Sequence, residues 1–272
     1  MKILFFGDVV GRPGREALAE ILPKLKKEYK PDLIFANGEN SAHGVGITES
    51  VLKELTNSGI DFLTNGDHAF ALNEAAQIYE DKLALVLRPL NWPGDVPGRG
   101  YELILNNAQR ILLVSLIGRV FMRPDFNDPF KAIADLLDEY SLKGKEQGSE
   151  AVDAIIVDFH AEATSEKIAL GHYLDGKVSA LLGTHTHVQT SDERVLSGGT
   201  AYISDLGMVG PQDSVIGVDK QIIIKRYLTQ RMWPMSLAKG RTIEVCGVLV
   251  EIDKKTGLAE NIERIRRIVE LD

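Results

Sequence analysis

The sequence of 272 residues has a length typical of one large α/β domain, and we expect a single domain over residues 1–272. Hydrophobic residues make up 44% and charged residues 26% of the chain, a balance that favours a folded protein with a sizeable core and excludes a disordered one. The formal net charge of -8 argues against a surface that neutralises many phosphates, so we expect no stable nucleic-acid binding.

The first third of the chain alternates between apolar runs and helical patterns. Pro13 suits the first position of a helix, and Thr48 suits a helix cap. The predicted strands cover residues 2–7, 32–36 and 61–64, and the predicted helices cover residues 13–29 and 48–58, followed by a third helix. Such alternation indicates a largely parallel sheet.

The remaining elements are separated by two segments rich in Pro, Gly and Asp. These segments, residues 89–98 and 118–129, are predicted to be loops. Between them, residues 101–106 and 109–117 are predicted to form a hairpin of strands. The later predictions are helices at 132–140 and 165–174 and strands at 154–158, 201–204 and 242–252.

The single cysteine and the apolar runs bear on the compartment of the protein. Cys246 has no second cysteine with which to form a disulfide, and its apolar neighbours favour a buried side chain over a reactive thiol. The N-terminal run at residues 2–6 is too short for the core of a signal peptide. No stretch approaches the roughly 20 apolar residues that cross a bilayer. We therefore expect a cytoplasmic protein with no membrane partner.

Polar side chains follow several apolar segments at the point where each segment ends. In an open α/β sheet, ligands bind beyond the carboxyl ends of the strands. Taken singly, each of these residues has an ordinary structural interpretation as a loop start, a turn cap or a buried histidine. Together, their carboxylates, amide and imidazoles favour one common site. The residues are Asp8, Glu39, Asn40, Asp67, His68, His160, His185 and His187.

His185 and His187 form the most specific local signal. Their i, i+2 spacing predicts that both side chains leave the same face of an extended segment and reach two neighbouring cations. Imidazole and oxygen ligands suit Zn, Fe, Mn or Ni, and the lack of a nearby cysteine favours an open catalytic site over a structural zinc site. Glu39 can bridge two cations roughly 3.5–4 Å apart, with a hydroxide between them as nucleophile. The neighbouring His68 is then the natural proton donor.

A family resemblance rests on five stretches of the chain, at residues 3–11 (ILFFGDVVG), 37–44 (NGENSAHG), 157–167 (VDFHAEATSEK), 183–190 (GTHTHVQT) and 205–211 (DLGMVGP). Over nearly its whole length the sequence resembles the calcineurin-like metallophosphoesterases, and most closely their YmdB-type branch. This resemblance implies an α/β sandwich of two stacked mixed β-sheets flanked by α-helices. It also implies hydrolysis of small phosphodiesters, including cyclic nucleotides such as 2′,3′-cAMP or 3′,5′-cAMP.

The same resemblance implies a role for each site residue. It implies two divalent or mixed-valence metal ions per chain, often Fe or Mn, with Zn also suitable. By this resemblance, the first metal would be held by Asp8, Glu39, Asn40 and His187, and the second by Asp67, His160 and His185, with Glu39 bridging the two. His68 would be the catalytic proton donor.

The third turn departs from the family pattern. The family reads Gly-Asn-His there, whereas this chain reads Gly66, Asp67 and His68. A carboxylate in place of a neutral amide adds negative charge beside Asp8 and Glu39. We expect tighter cation binding, a less acidic bridging water and weaker attraction for phosphate.

Two other functions stay open at this point. Asp67 favours a metal-binding regulatory or scaffold protein with weak turnover as the main alternative. A single-metal hydrolase that uses only the histidine-rich half of the chain is the other. Symmetric self-association into a homo-oligomer is expected on general grounds.

Several further residues have two interpretations. His43, three residues after Asn40, either lines a substrate pocket or serves as a structural histidine. Asp158 and Asp205 either orient ligand histidines or cap local turns. Glu162 and Lys167 are interpreted as an ion pair on a helix surface.

Overall fold

Two six-stranded β-sheets lie at the centre of the structure, a computed structural model that describes residues 1–143 and 148–272. The strands are β1 (Lys2–Val9), β2 (Leu33–Asn37), β3 (Phe62–Thr64), β4 (Tyr101–Asn106), β5 (Gln109–Ile117), β6 (Tyr140–Leu142), β7 (Glu150–Val152), β8 (Ala154–His160), β9 (Ala180–Thr184), β10 (Arg194–Val195), β11 (Ala201–Ile203), β12 (Met208–Pro211), β13 (Thr242–Ile252) and β14 (Ala259–Glu270). The helices are α1 (Gly11–Tyr29), α2 (Glu49–Ser58), α3 (Ala75–Glu80), α4 (Pro129–Glu139), α5 (Thr164–Leu174) and α6 (Lys220–Thr229). Strands β6 and β7 form a separate two-stranded sheet.

The first sheet brings the ends of its parallel strands to one edge. Its order is β14-β13-β12-β1-β2-β3, in which β12, β1, β2 and β3 are parallel and β13 and β14 are antiparallel to their neighbours. The register sets Asp8 beside Asn37 and Asn37 beside Thr64. Polar side chains at the ends of three strands are therefore neighbours.

The second sheet also has four parallel strands, and they lie at its centre. Its order is β10-β11-β9-β8-β5-β4, with β11, β9, β8 and β5 parallel and an antiparallel strand at each side. His160, the last residue of β8, is in register with Thr184, the last residue of β9. The loop that follows β9 consequently begins next to His160.

The two sheets pack face to face through apolar side chains. Phe5 and Phe35 of the first sheet meet edge to face with ring centroids 5.9 Å apart, and they share a cluster with Leu113, Ile156 and Leu182 of the second sheet. Helices α1 and α2 cover the outer face of the first sheet, and α4 and α5 cover the outer face of the second. The predicted sandwich of two stacked mixed β-sheets flanked by α-helices is confirmed.

The element predictions are confirmed for the hairpin of β4 and β5 and for β13, whose bounds are those expected. The first sheet is parallel only in part, because β13 and β14 join it antiparallel. Strand β14 was not predicted, because its buried residues Ile262, Ile265 and Val269 are spaced three and four apart, as in a helix. Pairing along the whole of β13 overrides that local pattern.

Two expectations concern the chain as a whole. In the described ranges, 1–143 and 148–272, no helix is both long and apolar enough to cross a membrane.

Cys246 is buried, and burial raises the pKa of its thiol to about 12, in line with the expected unreactive side chain. The division into one domain over residues 1–272 stays a prediction.

Candidate metal centre

The predicted ligands lie at the edge where the carboxyl ends of both sets of parallel strands meet. Strand β1 carries the fully buried Asp8, and the turn after β2 carries the buried Glu39 and Asn40. From the second sheet, β8 contributes the buried His160. The structure brings together all seven residues predicted as ligands, namely Asp8, Glu39, Asn40, Asp67, His160, His185 and His187. Their assignment as metal ligands stays a prediction.

Four of these side chains converge closely enough to hold a cation. Ligand atoms of Glu39, Asp67, His160 and His185 all lie within 4.8 Å of one another. Around His160, the Nε2 atom is 3.2 Å from Glu39 Oε1, 3.1 Å from Asp67 Oδ1 and 2.9 Å from His185 Nδ1. Carboxylate oxygens and imidazole nitrogens are the donors that Zn, Fe and Mn accept, so this group fits a divalent cation.

A second group of donors lies beside the first and shares Glu39 with it. Asn40 Nδ2 is 3.3 Å from Asp8 Oδ1, 3.1 Å from Glu39 Oε1 and 3.1 Å from His187 Nε2. His187 Nε2 is 3.6 Å from Asp8 Oδ1. A half-turn of the Asn40 amide would present its oxygen to the same group. Glu39 Oε1 thus contacts both groups, as a bridging carboxylate would.

Burial and charge act in opposite directions on the ionisable groups of the centre. Burial raises the pKa of Glu39, but the imidazole of His160 lowers it, and the net pKa lies well below its ordinary value. Burial lowers the pKa of His160, but Glu39 raises it to a net value well above the ordinary one. Burial lowers the pKa of His187, but Asp8, with smaller contributions from the Ile216 backbone and Glu39, raises it to about 9. Protonated imidazoles compensate the buried carboxylates, a role that a bound cation would take over.

The backbone around His185 and His187 differs from the prediction. The two residues do not lie in an extended segment, because β9 ends at Thr184 and both have left-handed backbone angles, with φ of 102° and 66°. Left-handed conformations are costly for residues other than glycine and are often found at functional sites. The i, i+2 spacing therefore does not explain why both rings face the centre. Their direction comes from a strained turn.

His68 lies at the mouth of the centre. Its Nδ1 is 3.1 Å from Asn40 Oδ1 and 3.4 Å from Glu39 Oε1, and its side chain is 36% exposed. The contact with Glu39 raises the pKa of His68 above its ordinary value. His43, also exposed, lines the same cavity of about 470 Å³. Its role in a substrate pocket stays a prediction.

Behind the centre, a buried network orients His160. The ring Nδ1 is 2.9 Å from Thr184 Oγ1, which donates to Asp158 Oδ1 at 2.7 Å. Asn37 Nδ2 donates to the other Asp158 oxygen at 3.0 Å. Asp158 therefore supports a histidine of the site and does not cap a turn. Sequence reasoning missed the contributions of Asn37 and Thr184, although both are final residues of apolar strands.

The predicted ion pair between Glu162 and Lys167 is wrong. Lys167 is buried and donates to Asp205 Oδ2 at 2.8 Å, and Glu162 Oε2 instead lies 3.2 Å from His185 Nε2. Asp205 also accepts from Thr186 N at 3.0 Å. Lys167 lies on the buried face of α5, where burial of its charge is costly unless a partner such as the buried Asp205 compensates it. Asp205 thereby fixes the loop that carries the two histidines.

Comparison with known proteins places these observations in a family. A family described as "YmdB-like protein" matches residues 4–265. The chain is 45% identical over 265 residues to the 2′,3′-cyclic-nucleotide 2′-phosphodiesterase of Bacillus subtilis (strain 168), covering 97% of this chain and 96% of that protein.

Two crystal structures are similar over almost the whole chain. A hypothetical protein from Thermus thermophilus has a TM-score of 0.89 and 38% identity, covering 99% of this chain and 100% of that one. A phosphatase from Mycoplasma pneumoniae has a TM-score of 0.89 and 33% identity, covering 100% of this chain and 94% of that one. The fold is thus shared by both proteins.

Proposed function

Since this chain belongs to the YmdB-like protein family, we propose that it is a metal-dependent phosphodiesterase that hydrolyses 2′,3′-cyclic nucleotides. The predicted family is confirmed. The observation that carries the proposal is the convergence of Glu39 Oε1 and Asp67 Oδ1 on His160 Nε2, at 3.2 and 3.1 Å, beside an open cavity. A catalytic centre needs such a set of donors with one side left open to substrate.

The arrangement supports two metal ions per chain, because two groups of donors share one carboxylate. The first group contains Asp8, Asn40 and His187, the second contains Asp67, His160 and His185, and Glu39 contacts both. Nitrogen and oxygen donors without sulfur suit Fe or Mn, and also Zn. When bound, these ions would polarise the phosphoryl oxygens and activate water.

His68 is the proposed proton donor for the departing oxygen. Its Nδ1 lies against the Asn40 amide, 3.1 Å from Oδ1, and either orientation of that amide can hydrogen-bond to it, so Nε2 is the nitrogen left for substrate in the cavity. We propose that hydrolysis breaks the bond between phosphorus and the 2′ oxygen and that His68 delivers its proton to that oxygen. The product would be a nucleoside 3′-phosphate. A 3′,5′-cyclic nucleotide is the second proposed substrate, and its hydrolysis is to be compared with that of the 2′,3′-cyclic nucleotide.

A regulatory or scaffold protein with weak turnover is the second candidate function. It is favoured by one specific observation, the presence of Asp67 where an amide is usual in the family. Asp67 Oδ1 lies 3.1 Å from His160 Nε2 and 3.6 Å from His185 Nδ1, so the extra charge is inside the centre. Added negative charge strengthens cation binding but opposes an anionic substrate.

Metal analysis and substrate hydrolysis distinguish these functions. Protein purified without chelator or added metal is analysed for Fe, Mn, Zn and Ni, and is then assayed with bis(p-nitrophenyl) phosphate, 2′,3′-cAMP and 3′,5′-cAMP. The proposal expects two ions per chain and turnover that His68→Ala strongly lowers while the metal content stays constant. Two ions with no turnover of any diester would establish the scaffold, and one ion per chain would establish a single-metal hydrolase.

The proposed setting is the cytoplasm, with the protein as a homo-oligomer. The cytoplasmic setting rests on the single cysteine, Cys246, which is buried and needs no oxidising compartment. Light scattering after gel filtration measures the oligomeric state, for which a mass of 30.0 kDa is expected of a monomer.

A further inference from the structure

The imidazole of His185 has different partners at its two nitrogens. Nδ1 points into the centre, 2.9 Å from His160 Nε2 and 3.6 Å from Asp67 Oδ1. Nε2 points away from it and lies 3.2 Å from Glu162 Oε2. A neutral imidazole carries one proton, so whichever nitrogen is protonated leaves the other free to bind a cation.

The other two histidines predicted as ligands have neutral partners at their outer nitrogens. His160 Nδ1 is 2.9 Å from the hydroxyl of Thr184, and His187 Nδ1 is 2.9 Å from the carbonyl oxygen of Ile216. In the part of the chain that the structure describes, only His185 has a carboxylate within hydrogen-bond distance of its outer nitrogen. The outer nitrogen of His185 therefore has a charged partner, whereas the partners of the other two outer nitrogens are neutral.

The position of Glu162 follows from the turn after β8. Glu162 comes two residues after His160, at the start of the loop that leads to α5. The end of β8 and the turn after it thus carry His160, a predicted ligand, and Glu162, the partner of the predicted ligand His185. The Glu162 side chain is 48% exposed and lines the cavity, so its charge is not penalised by burial.

We propose that Glu162 is a positioning residue that holds the proton of His185 on Nε2 and so directs Nδ1 to the metal centre. The inference rests on the metal centre of the proposed function. A carboxylate that accepts the outer N–H of a ligating histidine fixes the ring orientation and makes the ligating nitrogen more basic. His185 has a left-handed backbone, with φ of 102°, and lies outside regular secondary structure. The direction of its ring therefore depends more strongly on a side-chain partner such as Glu162.

Titration of metal-free protein with Zn²⁺ in a calorimeter tests this inference without any assay of turnover. Removing the partner with Glu162→Ala is expected to weaken one Zn²⁺ site by about 10-fold or more, the effect typical of such partners. Glu162→Gln retains an acceptor but not the charge, and is expected to weaken the same site by less. Glu260→Gln, at an exposed position on β14, is the matched control and is expected to leave both affinities unchanged.

Nitrogen-15 NMR of labelled histidine in the Zn²⁺-loaded protein gives a second readout. The wild type is expected to show His185 protonated at Nε2 and bound through Nδ1, and Glu162→Ala is expected to lose this single tautomer. Unchanged Zn²⁺ affinity in Glu162→Ala, or binding of His185 through Nε2, would overturn the role of Glu162 alone. Failure of the wild type to bind Zn²⁺ would overturn the metal centre and this inference together.

Discussion

Lys167 Nζ lies 2.8 Å from Asp205 Oδ2 in the interior of the protein, where the two side chains are only 2% and 1% exposed. Lys167 also donates to the carbonyl oxygen of Thr184 at 2.8 Å, and Asp205 accepts from the backbone N–H of Thr186 at 3.0 Å. The pair therefore holds both sides of His185 through the backbone. This buried ion pair, and not regular secondary structure, fixes the turn on which the histidines depend.

Replacing Lys167 with methionine tests the contribution of this pair. Lys167→Met leaves the Asp205 charge buried without a cation to pair with it, which is expected to lower the free energy of unfolding by about 3–5 kcal/mol. Urea unfolding of the metal-free protein measures the loss. The double variant Lys167→Met with Asp205→Asn is the control, and it should lose less than the two single variants combined. A loss below about 1 kcal/mol in Lys167→Met would mean that the pair is not stabilising.

The candidate site could be predicted from the sequence because each predicted ligand lies within about three residues of the end of an apolar strand. Parallel strands align their carboxyl ends, so local patterns were enough to place Asp8 and His160 at one edge. The partner of Lys167 could not be predicted, because Asp205 lies 38 residues away and its proximity depends on how β9 and β11 pair. The contact of Glu162 with His185 was missed for the same reason.

Asp67→Asn tests the effect of the third carboxylate on the centre. Removing the charge beside His160 and His185 is expected to weaken cation binding by about tenfold, which corresponds to about 1.4 kcal/mol. Turnover at matched metal occupancy is expected to rise, because with less negative charge in the centre the activated water would be more acidic and phosphate would be repelled less. Calorimetry with Mn²⁺ and steady-state assays with 2′,3′-cAMP measure the two effects. An equal or lower turnover at full occupancy would show that Asp67 is no handicap.

His68→Ala separates proton transfer from metal binding. Loss of a positioned proton donor is expected to lower kcat by about 10²–10⁴-fold, while the metal content stays at the wild-type value. His43→Ala is the comparison, since this exposed residue lines the same cavity and is predicted to affect KM more than kcat. Metal loss in His68→Ala would instead assign this residue to the structure of the centre.

Metal binding is expected to release protons. An imidazole must be neutral to bind a cation. In the metal-free protein, burial lowers the pKa of His187, but Asp8, the Ile216 backbone and Glu39 together raise it to about 9. His187 is therefore protonated at neutral pH, and its affinity for a cation should increase as the pH rises towards 9. Calorimetry with Mn²⁺ at pH 7 in buffers of different ionisation enthalpy counts the protons. His187→Asn is expected to release about one proton fewer. An unchanged count in that variant would show that His187 is not a ligand.

Gly66 has no side chain, and side chains of the metal centre occupy the space beside its Cα atom. A Cβ atom at this position would overlap the His160 ring and Glu39 Oε2, well inside van der Waals contact. Gly66→Ala is therefore expected to push these two side chains apart and to reduce the Mn²⁺ affinity by about tenfold or more, as expected when ligands lose their alignment. Equilibrium dialysis followed by metal analysis measures the loss.

Gly38→Ala is the matched control for this prediction. A Cβ atom at Gly38 would lie 3.5 Å from the side chains of Ile47 and Leu63, which is ordinary contact. Gly38 adjoins Glu39 in the chain, so both variants alter a turn at the same edge of the sheet. Both are expected to stay folded, since a strained methyl group typically costs about 1–3 kcal/mol. Only Gly66→Ala should lose metal, because only its methyl group displaces the donors. Equal metal affinity in the two variants would show that the convergence of Glu39 and His160 does not determine binding.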